Sequence, residues 1–483
     1  MSCSIEEVSP LGRRRHGGWR SLAPLWVGVT AALGMAADGC SDACCLVDGF
    51  PVDLLPGDGL RGMARVNGQD GATLTIDSSA PLTFFAGQAD GTPRIARRSF
   101  DLLGATAGAD GTYPVRARFQ NVAVLPVALD PAGSAVVLGA DLLKNFSLQI
   151  VFGAPAITFW SGQHAPDSLF GAPGCAGTAD SPLCAAVLHF SLLGGGELTA
   201  ISEPDFLGLT GPVEFPATRA LLRACAAPAV ADPINDPTPR CCSRIDAVNQ
   251  ATGANLALLV ATGVGPVILS QSAWNRVVAS QTVPPPSPAA GDSVSIPWLS
   301  GPLASVTWSE LPRLALVDLE SDPSTNPGAC VELGRARRME WIERHQTGPD
   351  SPACFQPCDA DLGDSGKAQN AAAYVELGAP VRVAIVPDGS GFLESLRAEL
   401  RQQGPQVDGL LGTEALAATS AELDYGGSPS RMIFACAPGA PRSTCWASPR
   451  CIRQNSPGDL HSCFGLPPQP RPAPTTCLPS GCS

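Results

Sequence analysis

GATLTIDSSAPLTFF at residues 71–85 and NLALLVATGVGPVIL at residues 255–269 are one phrase written twice. Each is an apolar run that enters a turn of small residues and leaves along a second apolar run, a pattern that marks strands rather than helices. The first copy delivers Asp77 into its turn, as Asp77-Ser78-Ser79. The second reads Ala261-Thr262-Gly263, so a methyl group stands where the carboxylate would be.

Both copies have matching sequels. VVLGADLL (136–143) and SLQIVFGAPAITFW (147–160) follow the first, and VDGLLGTEAL (407–416) and AELDYGGSPSRMIFAC (421–436) follow the second. Aligning Leu138-Gly139 with Leu411-Gly412 sets Asp141 opposite Glu414, Leu143 opposite Leu416, and Ile157-Thr158-Phe159 opposite Met432-Ile433-Phe434. Matched stations in one order predict two related halves. By the same logic ATRALLRACAAP (217–228) is the counterpart of GLRGMARVNGQD (59–70).

The order of an apolar strand, Asp-[Ser/Thr]-[Gly/Ser], an apolar-apolar-Gly turn and a closing strand pair resembles the aspartic proteases of the pepsin and retropepsin type. The resemblance covers both halves. It implies an all-β chain with a few short helices, folded as a bilobal pepsin-like acid protease of two related β-barrel lobes. The active-site turns would be Ser78 and Ser79 on one side, Thr262 and Gly263 on the other. Members of that family hold two carboxylates that share one proton, so that one acts as base toward water while the other donates to the scissile carbonyl. Asp77 matches the first catalytic position, but Ala261 supplies no acid at the second. General acid or base help is worth about 10²- to 10⁴-fold per group, so Asp77 is expected to be vestigial or residual. Ser79 also departs from the family, which has Gly there; lack of a Cβ lets a partner loop approach closely. Thr262 and Gly263 are kept, as though the fold-building part of the motif had outlived the reactive part. A plainer reading stands beside this one: an Asp after a strand commonly caps its own turn, and Ala261 is unremarkable as a packed core residue.

The 483 residues allow two or three domains. Only 16% are charged, and the 51 Gly and 47 Pro indicate strands joined by many turns. A net charge of −13 without a basic stripe disfavours phosphate-backbone binding, so nucleic acid is not an expected partner.

Residues 1–39 read as a signal peptide: Arg13, Arg14, Arg15 and Arg20 precede an apolar stretch from Leu22 to Ala37 that is short for a membrane span. Ala37-Asp38-Gly39-Cys40 resembles a bacterial lipoprotein box, which makes Cys40 the candidate for lipid attachment and that lipid the only expected membrane contact. Ala37 and Asp38 are unusual for such a box, and ordinary cleavage after Ala36 or Ala37 is the alternative. The location expected is the cell envelope, periplasmic or surface, or the medium. Of 18 cysteines, removal of Cys3 with the signal and lipidation of Cys40 leaves 16, an even number suited to disulfides. Metal is not expected, because Cys241-Cys242 and Cys354/Cys358 lack a second cluster or a histidine at ligand spacing. No cofactor is expected either: Gly194-Gly195-Gly196 lacks the strand-to-helix setting and lysine of a phosphate loop.

The organisation that follows is a Cys-rich tether at 40–49, the first lobe at 50–165, a connection at 166–185, the second lobe at 186–436 with insertions at 228–254 and 320–370, and a Cys/Pro-rich tail at 437–483 held by bridges. Residues 112–130 read as a hairpin with Tyr113 at its tip, the flap candidate under the resemblance. Helices are predicted at 334–346 and 391–404. The expected function is that of a pseudoprotease: a monomer, catalytically inactive or impaired, that binds a peptide or protein in its interlobe groove by strand addition. One alternative is an active endopeptidase in which Asp408 or Asp318, or the Asp77 of a second chain, completes the pair. Another is a structural envelope protein with a closed groove.

Overall fold

The computed structural model describes residues 44–161, 176–228, 253–318, 328–337, 372–447, 477–478 and 481–482, with breaks inside these ranges of which 203–209 and 397–406 are the longest. The chain is mainly β with a few short helices. The signal segment, Cys40, Cys241-Cys242 and Cys354/Cys358 lie outside the described residues.

The strands Leu60–Val66 and Gln69–Ile76 are joined by Asn67-Gly68, with φ of 52° and 77°. Two left-handed residues in that order make the turn whose twist matches an antiparallel pair, which explains the Asn-Gly choice. The pair runs from Val66↔Gln69 to Leu60↔Ile76 and ends at the first copy's turn. The chain returns as Phe84–Ala86, and Val136–Leu138 slots between the two. It runs parallel to the strand before the turn (Leu74↔Val136, Ile76↔Leu138) and antiparallel to the strand after it.

The second copy repeats this. Thr210–Ala227 pairs antiparallel with Ala254–Val260, the turn follows, and the chain returns as Val267–Ser270. Gly409–Leu411 slots between them, parallel to the first (Leu258↔Gly409, Val260↔Leu411) and antiparallel to the second (Ile268↔Leu410). The predicted alignment of Leu138-Gly139 with Leu411-Gly412 is therefore a topological equivalence. Its downstream partners agree, since Leu143 and Leu416 are both fully buried in the main core.

The halves meet in a six-stranded sheet ordered 185–189, 431–436, 419–424, 146–151, 156–161, 51–53. Its central pair, Phe146–Val151 against Thr419–Asp424, joins one half to the other with Leu148↔Leu423 in register. Each side then adds two strands in the same sense outward. Burial here is apolar on both halves' account: Leu148, Ile150, Ile157, Phe159, Leu423 and Phe434 share one core cluster.

Several local readings change. Residues 115–127 form one 13-residue strand, paired with Arg94–Leu103, where the sequence suggests a hairpin within 112–130. Gln120-Asn121 looks like a turn but is a bulge: the two residues oppose Ser99, Asn121 has φ 57°, and its N–H donates to Ser99 Oγ at 3.0 Å. The helix predicted from 334 begins earlier, at 329. Of 391–404 only Leu396 is described; it is helical and buried. A helix not foreseen, Gln271–Ser280, is capped by Ser270, whose hydroxyl accepts from Ala273 N–H. It buries Ala273, Trp274 and Val277 against the second half.

Two disulfides are described. Cys225–Cys330 ties the strand Thr210–Ala227 to the helical segment at 329–337, and Cys436–Cys445 folds the chain back so that Cys445–Ala447 pairs with Tyr374–Leu377. No helix among the described residues is long and apolar enough to cross a membrane, and no group of three or more His, Cys, Asp or Glu there could hold a metal ion.

Candidate functional site

The two turns are built alike and face each other. Asp77 N–H donates to Leu138 O at 3.0 Å, and Ala261 N–H donates to Leu411 O at 3.0 Å. Ala140 N–H reaches Ala80 O at 2.8 Å, as Thr413 N–H reaches Val264 O at 2.8 Å. Both inserted strands end on a glycine that no other residue could replace without movement. A Cβ on Gly139 would lie 1.9 Å from Leu82 O, and one on Gly412 would lie 2.1 Å from Pro266 O.

Hydroxyls tie one turn to the other. Thr262 Oγ1 donates to Ile76 O at 2.8 Å and accepts from Ser78 N–H at 3.0 Å. Ser78 Oγ donates to Val260 O at 2.7 Å, and Leu60 N–H donates to Thr262 O at 2.7 Å. Ser78 and Thr262 are buried, so these bonds satisfy groups that water cannot reach. Gly263 then sits directly over the acid: a Cβ there would be 2.6 Å from Asp77 Cβ. Its side of the interface needs glycine for that approach.

Asp77 is fully buried. Its Oδ1 accepts from Ser79 N–H at 2.9 Å and from Ser79 Oγ at 2.7 Å, which shows the use of a serine at this position. Its Oδ2 makes no hydrogen bond among the described residues. Burial pushes the Asp77 carboxyl up; the Ser79 donors, with the Gly263 N–H and the Trp298 indole nearby, oppose that rise without cancelling it. Across the interface Ala261 is equally buried, packed with Leu259, Val264, Ile268 and Leu410. The site is thus a buried acid beneath Gly263, while the residue equivalent to it, Ala261, packs into the second half's core. Among the described residues no second carboxylate is bonded to Asp77. Asp408 accepts from Ala257 N–H at 2.9 Å and from Arg276 at 2.5 Å, while Asp318 accepts from His189 N–H at 2.9 Å and faces the His189 ring at 3.1 Å.

The aromatic ring against the Asp77 turn belongs to Trp298. It is carried by a loop of the second half pinned by the Val294–Leu303 bridge. The indole stacks on Phe84 at 6.4 Å and 12°, packs with the cluster of Ala80, Phe84, Leu125 and Leu129, and places Nε1 3.5 Å from Ser79 Oγ. Sequence reasoning passed over this residue; a lone tryptophan in IPWLSGP (296–302) was its only signal. Tyr113 occupies the connection between Arg94–Leu103 and Val115–Val127, half-buried, beside the closing bond from Gly104 N–H to Pro114 O at 2.9 Å.

The stations next to the turns also differ. Asp141, half-buried, accepts from Thr83 Oγ1 at 2.9 Å, and burial pushes its carboxyl up to about 6. Glu414, at the matching place, is exposed and lies 3.5 Å from Arg382; partial desolvation raises its carboxyl, Arg382 opposes, and Asp58 adds to the rise.

A scan against protein-family models gives no match, and a comparison with curated proteins gives none either.

Proposed function

We propose that this chain is an exported protein on the bilobal plan of the pepsin-like aspartic proteases, silent as a peptidase, which holds rather than cuts a polypeptide segment between its halves. The observation that carries this reading is Ala261, at the station equivalent to Asp77 and bonded through its backbone in the same way. Hydrolysis by this family's route needs one carboxylate ionised and one protonated, sharing a proton. A lone buried acid whose ionisation is disfavoured neither activates water nor has a partner to do so. The repeated strand-insertion topology and the shared six-stranded sheet support the bilobal plan. Export is supported by the basic-then-apolar segment before Cys40 and is in keeping with the two disulfides.

Polypeptide entering the groove must displace Trp298 from Ser79. A second reading, a structural protein whose groove stays shut, is favoured by one feature: Asp77 is wholly buried, with Trp298 packed against its turn.

The test is incubation of the purified chain with unfolded protein from about pH 3 to 7, the range in which carboxylates titrate, with and without pepstatin. No pepstatin-sensitive cleavage is expected, together with a change in indole emission on adding substrate that Trp298→Phe abolishes. Pepstatin-sensitive cleavage lost in Asp77→Ala would overturn the silent reading. Emission indifferent to every substrate would favour the shut groove.

A further inference from the structure

Arg61 is the second residue of the strand Leu60–Val66 and stands where the halves join. Its neighbour Leu60 donates N–H to Thr262 O at 2.7 Å, and a Cβ on Gly59 would lie 2.3 Å from Gly263 O. The Arg61 backbone is thereby fixed beside the turn that covers Asp77. Its side chain is half-buried.

The guanidinium has no counter-charge. Nε is buried without a hydrogen bond, and no ion pair reaches Arg61 among the described residues. Strand register explains why. Residues directly opposite one another on neighbouring strands share a face of the sheet, and the row through Arg61 continues as Thr75, Val137, Phe84 and Leu125. That row offers one hydroxyl, which Thr75 shares with Ser134 Oγ, and then only apolar groups. Acids further along the same face are already held. Asp70 lies opposite Arg65 and accepts from it at 3.2 Å, and Asp101 lies opposite both Arg65 and Arg118 and accepts from Arg118 at 3.1 Å. Asp58, in the same segment as Arg61, lies instead against Gly265, where a Cβ would be 3.1 Å from its Cγ.

A guanidinium donor shut off from water without an acceptor is a standing cost to the fold. Pairing it within the chain would remove that cost, and the face around it supplies nothing to do so. Its planar fork fits a carboxylate, which takes two parallel hydrogen bonds from it. At the other end of the row Trp298 of the second half stacks on Phe84. The face that meets the second half therefore carries a cation at one end and an aromatic platform at the other.

We propose that Arg61 anchors a carboxylate of the polypeptide held between the halves, supplied by an aspartate or glutamate side chain or by the segment's own C-terminus. The assignment rests on the reading of the chain as a holder of polypeptide, and it adds the class of segment held, an acidic one.

The test uses the full chain and three dye-labelled peptides of alternating valine and serine around one tryptophan. The first carries a glutamate and an amidated C-terminus, the second a glutamine and an amidated C-terminus, the third a glutamine and a free C-terminus. Fluorescence anisotropy should show the first, the third or both binding at least about 10-fold more tightly than the second, as a charge-assisted hydrogen bond gives. Which of them does so identifies the source of the carboxylate. The preference should shrink with added salt and vanish below about pH 4, where the peptide carboxyl takes up its proton. Arg61→Gln should abolish the preference, and Arg94→Gln, an exposed arginine of the first half, should leave it intact. On the unaltered chain the preferred peptide should slow modification of Arg61 by phenylglyoxal, read by mass spectrometry, a result that depends on no variant folding. Equal binding of all three peptides, a preference that survives Arg61→Gln, or an unprotected Arg61 would overturn the assignment and leave the holding reading in place. Failure of all three peptides to bind would remove both.

Discussion

The turn at Asp77 and the turn at Ala261 share their backbone bonds and differ in their side chains, an acid with Ser79 on one and a methyl group with Gly263 on the other. Their entry bonds are both 3.0 Å, their exit bonds both 2.8 Å, and each leans on a glycine that admits no side chain. In the first, a buried carboxyl is held by two donors from Ser79. In the second, Ala261 is simply core, among Leu259, Val264 and Ile268. The comparison teaches that scaffold and chemistry are separable. Backbone pairing, glycine clearance and the Ser78 and Thr262 hydroxyls build and join the turns, and none of them needs the acid.

The largest effect that could break the comparison lies at the glycines. Gly139→Ala and Gly412→Ala each drive a methyl group into a backbone carbonyl that cannot turn aside, and each should cost about 3 kcal/mol or more by denaturant unfolding. Similar costs would confirm that both halves rely on the same close approach; tolerance at one site only would break the equivalence.

A smaller effect sharpens it. Asp141 is held above the ordinary carboxylate range, at about 6, so the folded state binds its proton more tightly than the unfolded chain does. The resulting stability is fully present below about pH 4 and is lost as pH rises through about 6. Asp141→Asn keeps an oxygen acceptor for Thr83 and removes that loss, so the variant should gain about 1–3 kcal/mol relative to the parent between pH 4 and pH 7. Glu414→Gln, at the exposed matching station beside Arg382, should show a weaker pH dependence in the same measurement. Equal responses would mean that the two stations are electrostatically alike, against the structure.

Much of the fold could be read from residues because the decisive features are local strings. The two strand-turn-strand phrases and the Leu-Gly turns carry their own spacing, and the pairings Leu74↔Val136 and Leu258↔Gly409 bear out the alignment built on them. Asp77 and Ala261 were visible for the same reason. Features that depend on packing between distant segments were not. Gln120-Asn121 has turn chemistry, yet the long partner strand Arg94–Leu103 absorbs it as a bulge. Trp298 reaches the Asp77 turn from a loop more than two hundred residues away, and Cys225–Cys330 joins residues separated by 105. The Arg65–Asp101–Arg118 row exists only once three strands are in register. The helix Gln271–Ser280 was a local miss, since Ser270 ahead of Ala273, Trp274 and Val277 is a legible cap and apolar stripe.

The smallest expected effect is the most direct test of whether the turns with and without the acid are packed against each other. A double-mutant cycle on Ser78→Ala and Thr262→Val removes hydroxyls that bond across the interface, in one shared network. A coupling of about 0.5 kcal/mol or more between the two substitutions is the predicted result. Additivity within about 0.3 kcal/mol would contradict it, because residues that do not share a network behave that way.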